Sequence, residues 1–270
     1  MASVVQPAVA LTPRAGMRAD AQRPAHPPAD VTTAVCAQRA EPTCVLLLAD
    51  IAPGARLWGW SRIVRGAAAL AGVPSLRLAK VLGSGYDGGF GLRPSVSRQG
   101  LFLAFDSGAQ AARFLAEAPL LQAYRVRSRE LLVVTLAAYS VRGSWGGATL
   151  APAAAAPSAG PIAALTRASI RPAAAARFWR HAPPAQAGLA DAPGCRLAVG
   201  LGEAPLLRQA TFSLWDSAQS MDAYARSGAH LDAIRAAASQ RFFSESMFVR
   251  FVPLSVRGTW KGRDHGDAAA

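Results

Sequence analysis

Histidine is the residue type in this sequence best suited to bind a metal or move a proton, and the 270-residue chain has four histidines. His230 lies in the segment GAHLDAIR at 228–235, where helical spacing places it on one face with Ile234 and Ala237. From the residues alone, His230 could be a metal ligand, a general base or a hydrogen-bonded core residue. The first half of the chain has Leu120 at the matching position, so a ligand here would serve a single site.

The other candidate ligands are weaker. His26 and His265 lie near the chain ends and are not expected to be held in place. His181 lies near the end of a predicted helix, before Ala-Pro-Pro, and is the second choice. The three cysteines have no CxxC spacing, and their odd number argues against both a disulfide framework and a zinc site. This cysteine usage favours a reducing, cytoplasmic compartment.

A flat macrocycle bound by the chain would need an axial ligand, an apolar lining and cations for its propionates. The second half offers residues of each kind. We predict His230 as the metal ligand and, as further cofactor-binding residues, Arg167, Arg171 and Arg235. The predicted substrate pocket is apolar and mainly aromatic, and consists of Trp179, Phe212, Trp215, Met221, Tyr224 and Met247. The simpler alternatives are an ordinary core for the aromatic residues and a solvated face for the arginines.

The elements that must position these residues occur twice, in residues 43–147 and 162–262. RQGLFLAFDS in the first half corresponds to RQATFSLWDS in the second, and each half ends with a VRG[ST]W tag. Each of the two decapeptides predicts an alternating apolar strand that stops at Asp-Ser, followed by a short helix that the serine caps.

Each half therefore predicts the order strand, helix, strand, strand, helix, strand, which is the ferredoxin-like plan. The predicted fold class is α+β, a duplicated ferredoxin-like repeat that closes on itself as an intrachain dimeric α/β barrel. A ligand could then occupy the space between the two sheets. Residues 1–42 and 263–270 are predicted to be disordered tails, and the Ala- and Pro-rich residues 148–161 a linker.

The net charge of +13 favours anionic partners, either nucleic acid or a phospholipid surface. An RNA-recognition module would need an aromatic stacking residue where the two halves have Gly100 and Ala210, so no nucleic-acid partner is expected. The glycine-rich GSGYDGGFG at 83–91 lacks the spacing of a phosphate loop and predicts a turn or flexible flap. The sequence contains no uncharged apolar run of about 18 residues, so no segment is expected to span a bilayer.

Several long strings resemble the spheroidene monooxygenase family of carotenoid synthesis in purple phototrophic bacteria. They are VLGSGYDGGFGLRPS, IAALTRASIR, QATFSLWDSAQSMDAYARSGAHLDAIRAA and FFSESMFVRF. The similarity runs from about 43 to 262, and these strings are too long to be general signatures of a fold.

The resemblance implies a haem-dependent oxidoreductase that uses O2 to oxidise the methylene next to the methoxy or hydroxy end of an acyclic carotenoid. Spheroidene would become spheroidenone, and the electrons would come from an external donor such as reduced ferredoxin. It also implies the dimeric α/β barrel. The alternative of another class is a non-catalytic haem- or lipid-binding barrel protein.

A carotenoid substrate resides in the membrane, and a basic surface favours anionic headgroups. We therefore expect a cytoplasmic protein that associates peripherally with the inner or photosynthetic membrane.

Overall fold

The computed structural model describes residues 41–91, 93–204, 206–239 and 241–266. Residues 1–40, the larger part of the predicted N-terminal tail, lie outside the described residues. The strands are β1 (Thr43–Ile51), β2 (Leu76–Gly85), β3 (Pro94–Phe105), β4 (Ser128–Gly143), β5 (Ile162–Ile170), β6 (Cys195–Ala204), β7 (Arg208–Trp215), β8 (Phe243–Trp260) and β9 (Arg263–Asp264). The α-helices are α1 (Arg56–Arg65), α2 (Gly108–Glu117), α3 (Pro119–Arg127), α4 (Ala175–Ala187), α5 (Ala218–Ala225) and α6 (Gly228–Ser239).

Strands β1 to β8 form one closed antiparallel barrel in the order β4-β1-β3-β2-β6-β7-β5-β8, because β8 pairs back onto β4. Each half contributes four adjacent strands, and the halves meet at two seams. The β4–β8 seam is long, running from Leu132 opposite Gly258 to Gly143 opposite Met247. The β2–β6 seam pairs only Gly83 with Gly202 and Ser84 with Leu201. The predicted joining of two ferredoxin-like halves into one barrel is confirmed.

The strands form where the alternating apolar pattern predicted them. The β3 and β7 strands stop before Asp106 and Asp216, and short helices follow each stop. Ser217 is the N-cap of α5, and its side-chain oxygen accepts a hydrogen bond from the Ser220 amide at 3.2 Å. This bond satisfies one of the amides that a helix start leaves without a backbone partner.

Side chains fill the barrel interior. The core residues come from every strand of the barrel, and the largest of them are Phe102, Phe212, Phe251, Trp145 and Trp260. An eight-stranded barrel is only wide enough for its own side chains. Because core side chains fill this barrel's interior, the expected ligand space between the sheets is occupied by protein, and the outer faces of the barrel are the places left to search for a site.

The C-terminal residues differ from the predicted tail at 263–270. Arg263 and Asp264 form β9, which pairs with Thr259 and Trp260 of β8. Lys261 and Gly262 between them both have positive φ, 55° and 70°, as a tight two-residue hairpin turn requires. Carboxylate oxygens of Glu130 accept hydrogen bonds from both turn amides. Residues 267–270 lie outside the described residues.

Residues 148–161 run from β4 to β5 in irregular conformation, and Leu150 within them is buried against the barrel core. In the part of the chain that the structure describes, none of the helices is long and apolar enough to cross a bilayer.

Candidate functional site

The outer faces of the two halves carry different side chains at matching positions. In the first half, the register places Val81, Leu101, Leu47 and Val133 side by side across the middle of the sheet. These large aliphatic side chains face α1, α2 and α3, which pack directly against the strands beneath them. The outer face of the first half is thus an ordinary helix-on-sheet core.

The same row in the second half consists of Gly200, Thr211, Thr166 and Phe248. Apart from Gln209, its neighbours on β5, β6 and β7 are also small, and we call the small members the small-residue face: Ala164, Thr166, Ala168, Ala198, Gly200, Gly202, Thr211 and Ser213. With β8, this face extends roughly 14 Å in each direction, from four strands about 4.8 Å apart and three rows about 6.8 Å apart.

The helices above the small-residue face do not close down on it. The α4 helix packs chiefly against α6, rather than against a strand. Thr166, in the middle row of the sheet, is exposed, and Phe248 beside it keeps 43% of its surface in solvent. The part of the face around Thr166 and Phe248 is therefore open, whereas Gly89 and Phe90 cover Gly200 on its β6 side. A flat group could lie over the open part.

A cleft of about 150 Å³ opens at the β2–β6 edge of the small-residue face. Trp60 and Ile63 of α1 line one side, and Phe178 and Trp179 of α4 line the other. This volume is below the roughly 300–1,000 Å³ of sites for drug-sized ligands. A large ligand would therefore occupy the cleft together with the space above the face.

The segment 85–91 reaches from the first half across the seam and covers this edge. The side chain of Phe90 packs among second-half residues that include Trp215 and Tyr224. A Cβ atom added to Gly200 would lie 2.8 Å from Cδ1 of Phe90, so only glycine leaves room for the crossing. Asp87 forms ion pairs with Arg98 and Lys261, which fix the base of the segment. The predicted flap is thus a cover over the second half.

His230 lies on α6 and is half-buried. Its ring centroid is 4.9 Å from that of Tyr224, which in turn lies 5.7 Å from Trp215. Ala164 and Ala198 of the small-residue face pack into the same cluster as Trp215 and Tyr224. His230 therefore lies in the layer of helices above one end of this face, where an imidazole could ligate a group lying on it.

Two other possible ligands in the same region are poorly suited. Burial raises the pKa of the Cys195 thiol to about 11, so the free thiol stays protonated near neutral pH and a metal would have to displace its proton. Burial also raises the pKa of the Tyr224 phenol, which disfavours a phenolate ligand. The side chain of His181 lies outside the described residues. Among the described residues, no group of three or more His, Cys, Asp or Glu could hold a metal by itself.

The predicted cofactor-binding arginines do not meet at one place. Arg167 points into one end of the barrel, where it is buried and pairs with Glu203 at 3.2 Å and Glu245 at 2.5 Å. Arg171 is exposed and donates from Nε to the Phe243 carbonyl. Arg235 is exposed on α6, 3.9 Å from Asp232. Of the three, only Arg235 shares a helix with His230.

The two carboxylates that pair with Arg167, those of Glu203 and Glu245, are both stabilised in their ionised form. Hydrogen bonds from the Gly147 and Gly146 amides, together with Ser144 and Arg167, lower the pKa of Glu245 to about 2. Burial alone would raise the pKa of Glu203, but hydrogen bonds from Trp145 and Lys80 outweigh it and lower that pKa. Arg167 is therefore committed to these carboxylates, which in turn join the two halves by accepting bonds from first-half groups such as Trp145 and Ser144.

The predicted substrate-pocket residues divide between three environments. Phe212 and Met247 lie inside the barrel as core residues. Trp215, Met221 and Tyr224 cluster outside the barrel, next to the small-residue face. Trp179 lines the cleft, and its indole nitrogen donates to the Leu206 carbonyl at 2.9 Å.

Sequence reasoning missed the small-residue face and Arg250. Arg250 lies on β8 opposite Ala164, and its guanidinium donates to Asp222 at 2.7 Å. Comparing the two repeats position by position could have revealed the small-residue face, because Leu47 is replaced by Thr166, Leu101 by Thr211 and Val81 by Gly200. No comparable pattern marks Arg250.

The closed barrel of two ferredoxin-like halves places the chain in the dimeric α+β barrel class. Two solved structures of aldoxime dehydratase have the same fold, with TM-scores of 0.51 and 0.50 over 80% of this chain. The matched regions are 80% and 82% of the two dehydratase chains. Because the sequences are only 11% identical, the likeness shows a shared fold and no more.

The particular family follows from the sequence relatives. The spheroidene monooxygenase of Rubrivivax gelatinosus is 61% identical over 82% of this chain and 86% of its own length. That of Rhodobacter capsulatus is 35% identical over 77% of this chain and 88% of its own length. The chain belongs to the spheroidene monooxygenase family. No family model matches the sequence.

Proposed function

We propose that this chain is a carotenoid mono-oxygenase that oxidises the methylene beside the methoxy or hydroxy end of an acyclic carotenoid to a ketone. The observation that carries the proposal is the 61% identity to the Rubrivivax gelatinosus spheroidene monooxygenase, over most of both chains. The open part of the small-residue face supports it, because a long apolar substrate and a flat cofactor both need such a space.

Haem fits the residues of this region. The open part of the small-residue face could take one side of a flat ring, and His230 on α6 would be an imidazole ligand for its iron. Arg235 on the same helix and Arg250 at the β8 edge are the cations that could meet propionates. Haem would supply the activation of O2, with electrons from an external donor such as a reduced ferredoxin.

The protein's own residues would bind, orient and exclude water. Trp60, Phe178 and Trp179 would hold the polyene in the cleft, and Phe90 would close its inner end. The surface between these aromatic groups is apolar, so the reacting methylene would be kept away from bulk water. No acid–base triad is required of the chain, because the cofactor carries the oxidising chemistry.

Product analysis tests the activity. Cells that accumulate spheroidene and express this chain should form a ketocarotenoid, detected by its longer-wavelength absorption and its added oxygen in mass spectrometry. A chain that binds haem or carotenoid and yields no oxidised product would instead be the non-catalytic binding protein.

A spectrum of the purified chain tests the cofactor and its ligand. Wild-type protein should show a Soret band, and His230→Ala should lower haem retention by roughly tenfold or more while the fold persists by circular dichroism. His265→Ala, which changes a histidine beside β9, is the matched control and should keep the band. An unchanged band in His230→Ala would assign the ligand elsewhere, with His181 the first alternative.

The basic surface supports peripheral membrane association in a cytoplasmic protein. Sedimentation with membranes at low salt, and release at high salt, is the expected result.

A further inference from the structure

We infer that α1 and the mouth of the cleft form a membrane-docking surface that takes the substrate directly from the bilayer. The inference that a substrate passes through this surface rests on the proposed function. The docking itself rests on the exposure, spacing and charge of residues in the described part of the chain.

The first observation is an apolar stripe on the outside of α1. Leu57 and Val64 are 88% and 82% exposed, and Trp60 between them is 39% exposed. The spacing i, i+3, i+7 places all three on one helical face. The helix does not need them for its own packing, because its inner face is provided by Trp58, which lies edge-on against Tyr124 at 4.9 Å, and by the buried Gly59.

The second observation is the charge around the stripe. Arg56 and Arg65 are exposed at the two ends of α1. The segment between Ile51 and Tyr86 has no acidic residue, and its basic residues Arg77 and Lys80 pair with Asp106 and Glu203, so Arg56, Arg62 and Arg65 supply the positive charge beside the stripe. A helix with an exposed apolar face flanked by arginines matches a surface of apolar acyl chains below anionic headgroups.

The third observation is continuity with the cleft. Trp60 belongs both to the exposed stripe and to the cleft lining. On the opposite side of the mouth, Trp179 lines the cleft beside Leu206, which is 46% exposed, while Arg177 and Arg180 on α4 are exposed. Tryptophan is enriched where membrane and water meet, because its ring is apolar and its N–H is polar.

Together these features orient the molecule. With the α1 stripe in the interface, the cleft mouth between Trp60 and Trp179 faces the acyl chains. A polyene could then enter the cleft end-on without crossing water. The occupant of this surface is thus an anionic phospholipid bilayer, and a second copy or a protein partner is the alternative that the experiment excludes.

Flotation of the full chain with vesicles tests the docking. Wild-type protein should bind vesicles of phosphatidylcholine mixed with phosphatidylglycerol much more strongly than vesicles of phosphatidylcholine alone. The double variant Leu57→Gln/Val64→Gln should weaken binding to the mixed vesicles by roughly tenfold or more, since two apolar side chains no longer enter the interface. Arg56→Gln/Arg65→Gln should weaken it by about fivefold per arginine and reduce its salt dependence.

The matched control is Leu254→Gln, a 50% exposed leucine on β8 at the opposite seam of the barrel, which should leave vesicle binding unchanged. Equal binding by wild type and Leu57→Gln/Val64→Gln would overturn the inference. So would a wild-type dimer in the absence of vesicles that the same variant converts to monomers, because a second copy would then cover the stripe.

The route of the substrate needs a separate readout. Leu57→Gln/Val64→Gln should lower turnover of carotenoid embedded in vesicles and leave turnover of carotenoid in detergent micelles unchanged. Equal loss with both substrates would overturn the delivery role. Vesicle binding without any product, from either carotenoid preparation, would instead reject the proposed function and leave the docking surface standing.

Discussion

At the scale of single residues, the most constrained polar group is Arg167. Its side chain is 4% exposed, and its charge is balanced by Glu203 and Glu245, while Nε is buried with no hydrogen-bond partner. Its guanidinium also lies 5.6 Å from the ring of Trp145, the last residue of the first VRG[ST]W motif. The network therefore depends on both halves, since Trp145 comes from the first and the three charged residues from the second.

Replacing Glu245 by glutamine should destabilise the fold by about 2–3 kcal/mol, because Arg167 then keeps only one carboxylate in a buried site. The Gly147 amide, which donates to Glu245 at 2.9 Å, would also lose a charged acceptor. Urea unfolding at neutral pH measures the change. Glu117→Gln, in an exposed i,i+4 pair with Arg113, is the control and should leave the free energy of unfolding almost unchanged.

Comparing wild type with Glu245→Gln also tests how the stability of the fold depends on pH. The pKa of Glu245 falls from an ordinary value of 4.5 to about 2 in the folded chain. Its ionised form therefore stabilises the fold above about pH 4.5, and that stability is lost as the pH falls toward 2. Wild-type stability should drop more steeply than that of Glu245→Gln across this window, and parallel profiles would contradict the assigned pKa.

Residue types alone predicted some of this site and misplaced the rest. Of the residues predicted to form the site, Trp215, Met221 and Tyr224 lie in one cluster outside the barrel, with His230 beside Tyr224. Phe212 and Met247 share the same apolar character but face the barrel interior. Composition gives no means of telling the inner from the outer face of a strand in a closed barrel, where both faces are covered.

At the scale of elements, the two halves have the same strands and use them differently. The outer face of the first half packs tightly under its helices, whereas that of the second carries small residues under a helix pair that stands away from it. Strand positions were predictable because alternation is a local pattern. The separation of α4 and α6 from the sheet was not predictable from a local pattern, because it depends on the large side chains that the strand surface beneath them lacks.

Thr166→Leu tests this difference by restoring the residue that the first half has at the equivalent position, Leu47. The larger side chain should fill the open part of the face and reduce haem retention by roughly tenfold, since overpacking a contact costs about 1–3 kcal/mol. The melting temperature should stay close to that of wild type, because Thr166 is exposed. The Soret absorbance per chain and the circular dichroism melt measure the two effects.

Thr259→Leu makes the same change on β8 at an exposed position beside β9, and should leave haem retention unchanged. If Thr166→Leu retained haem as the wild type does, the cofactor would have to bind away from the small-residue face.

At the scale of the whole molecule, the barrel is closed by two unequal seams. Each of the eight strands pairs on both sides, but at the β2–β6 seam only Gly83–Gly202 and Ser84–Leu201 are paired among the described residues, so most of these two edges lacks a strand partner. The long β4–β8 seam holds the halves together, while the short β2–β6 seam adds the Lys80–Glu203 ion pair and a 2.6 Å bond from the Ser84 hydroxyl to the Gly200 carbonyl. The cleft, the covering segment 85–91 and the docking stripe all lie on the short-seam side.

The unequal seams predict where the molecule opens. Local opening is easiest where few backbone hydrogen bonds must break, so the amides of Ser84 and Gly202 should exchange with solvent faster than those of the β4–β8 seam. Hydrogen exchange followed by mass spectrometry on peptides from β2, β6, β4 and β8 measures the difference, which should exceed roughly tenfold. Peptides from the β1–β3 pair, inside one half, provide the protected reference. Equal protection at both seams would show that the barrel opens only by global unfolding, and a ligand would then have to enter between α4 and α6 without any movement of the seam.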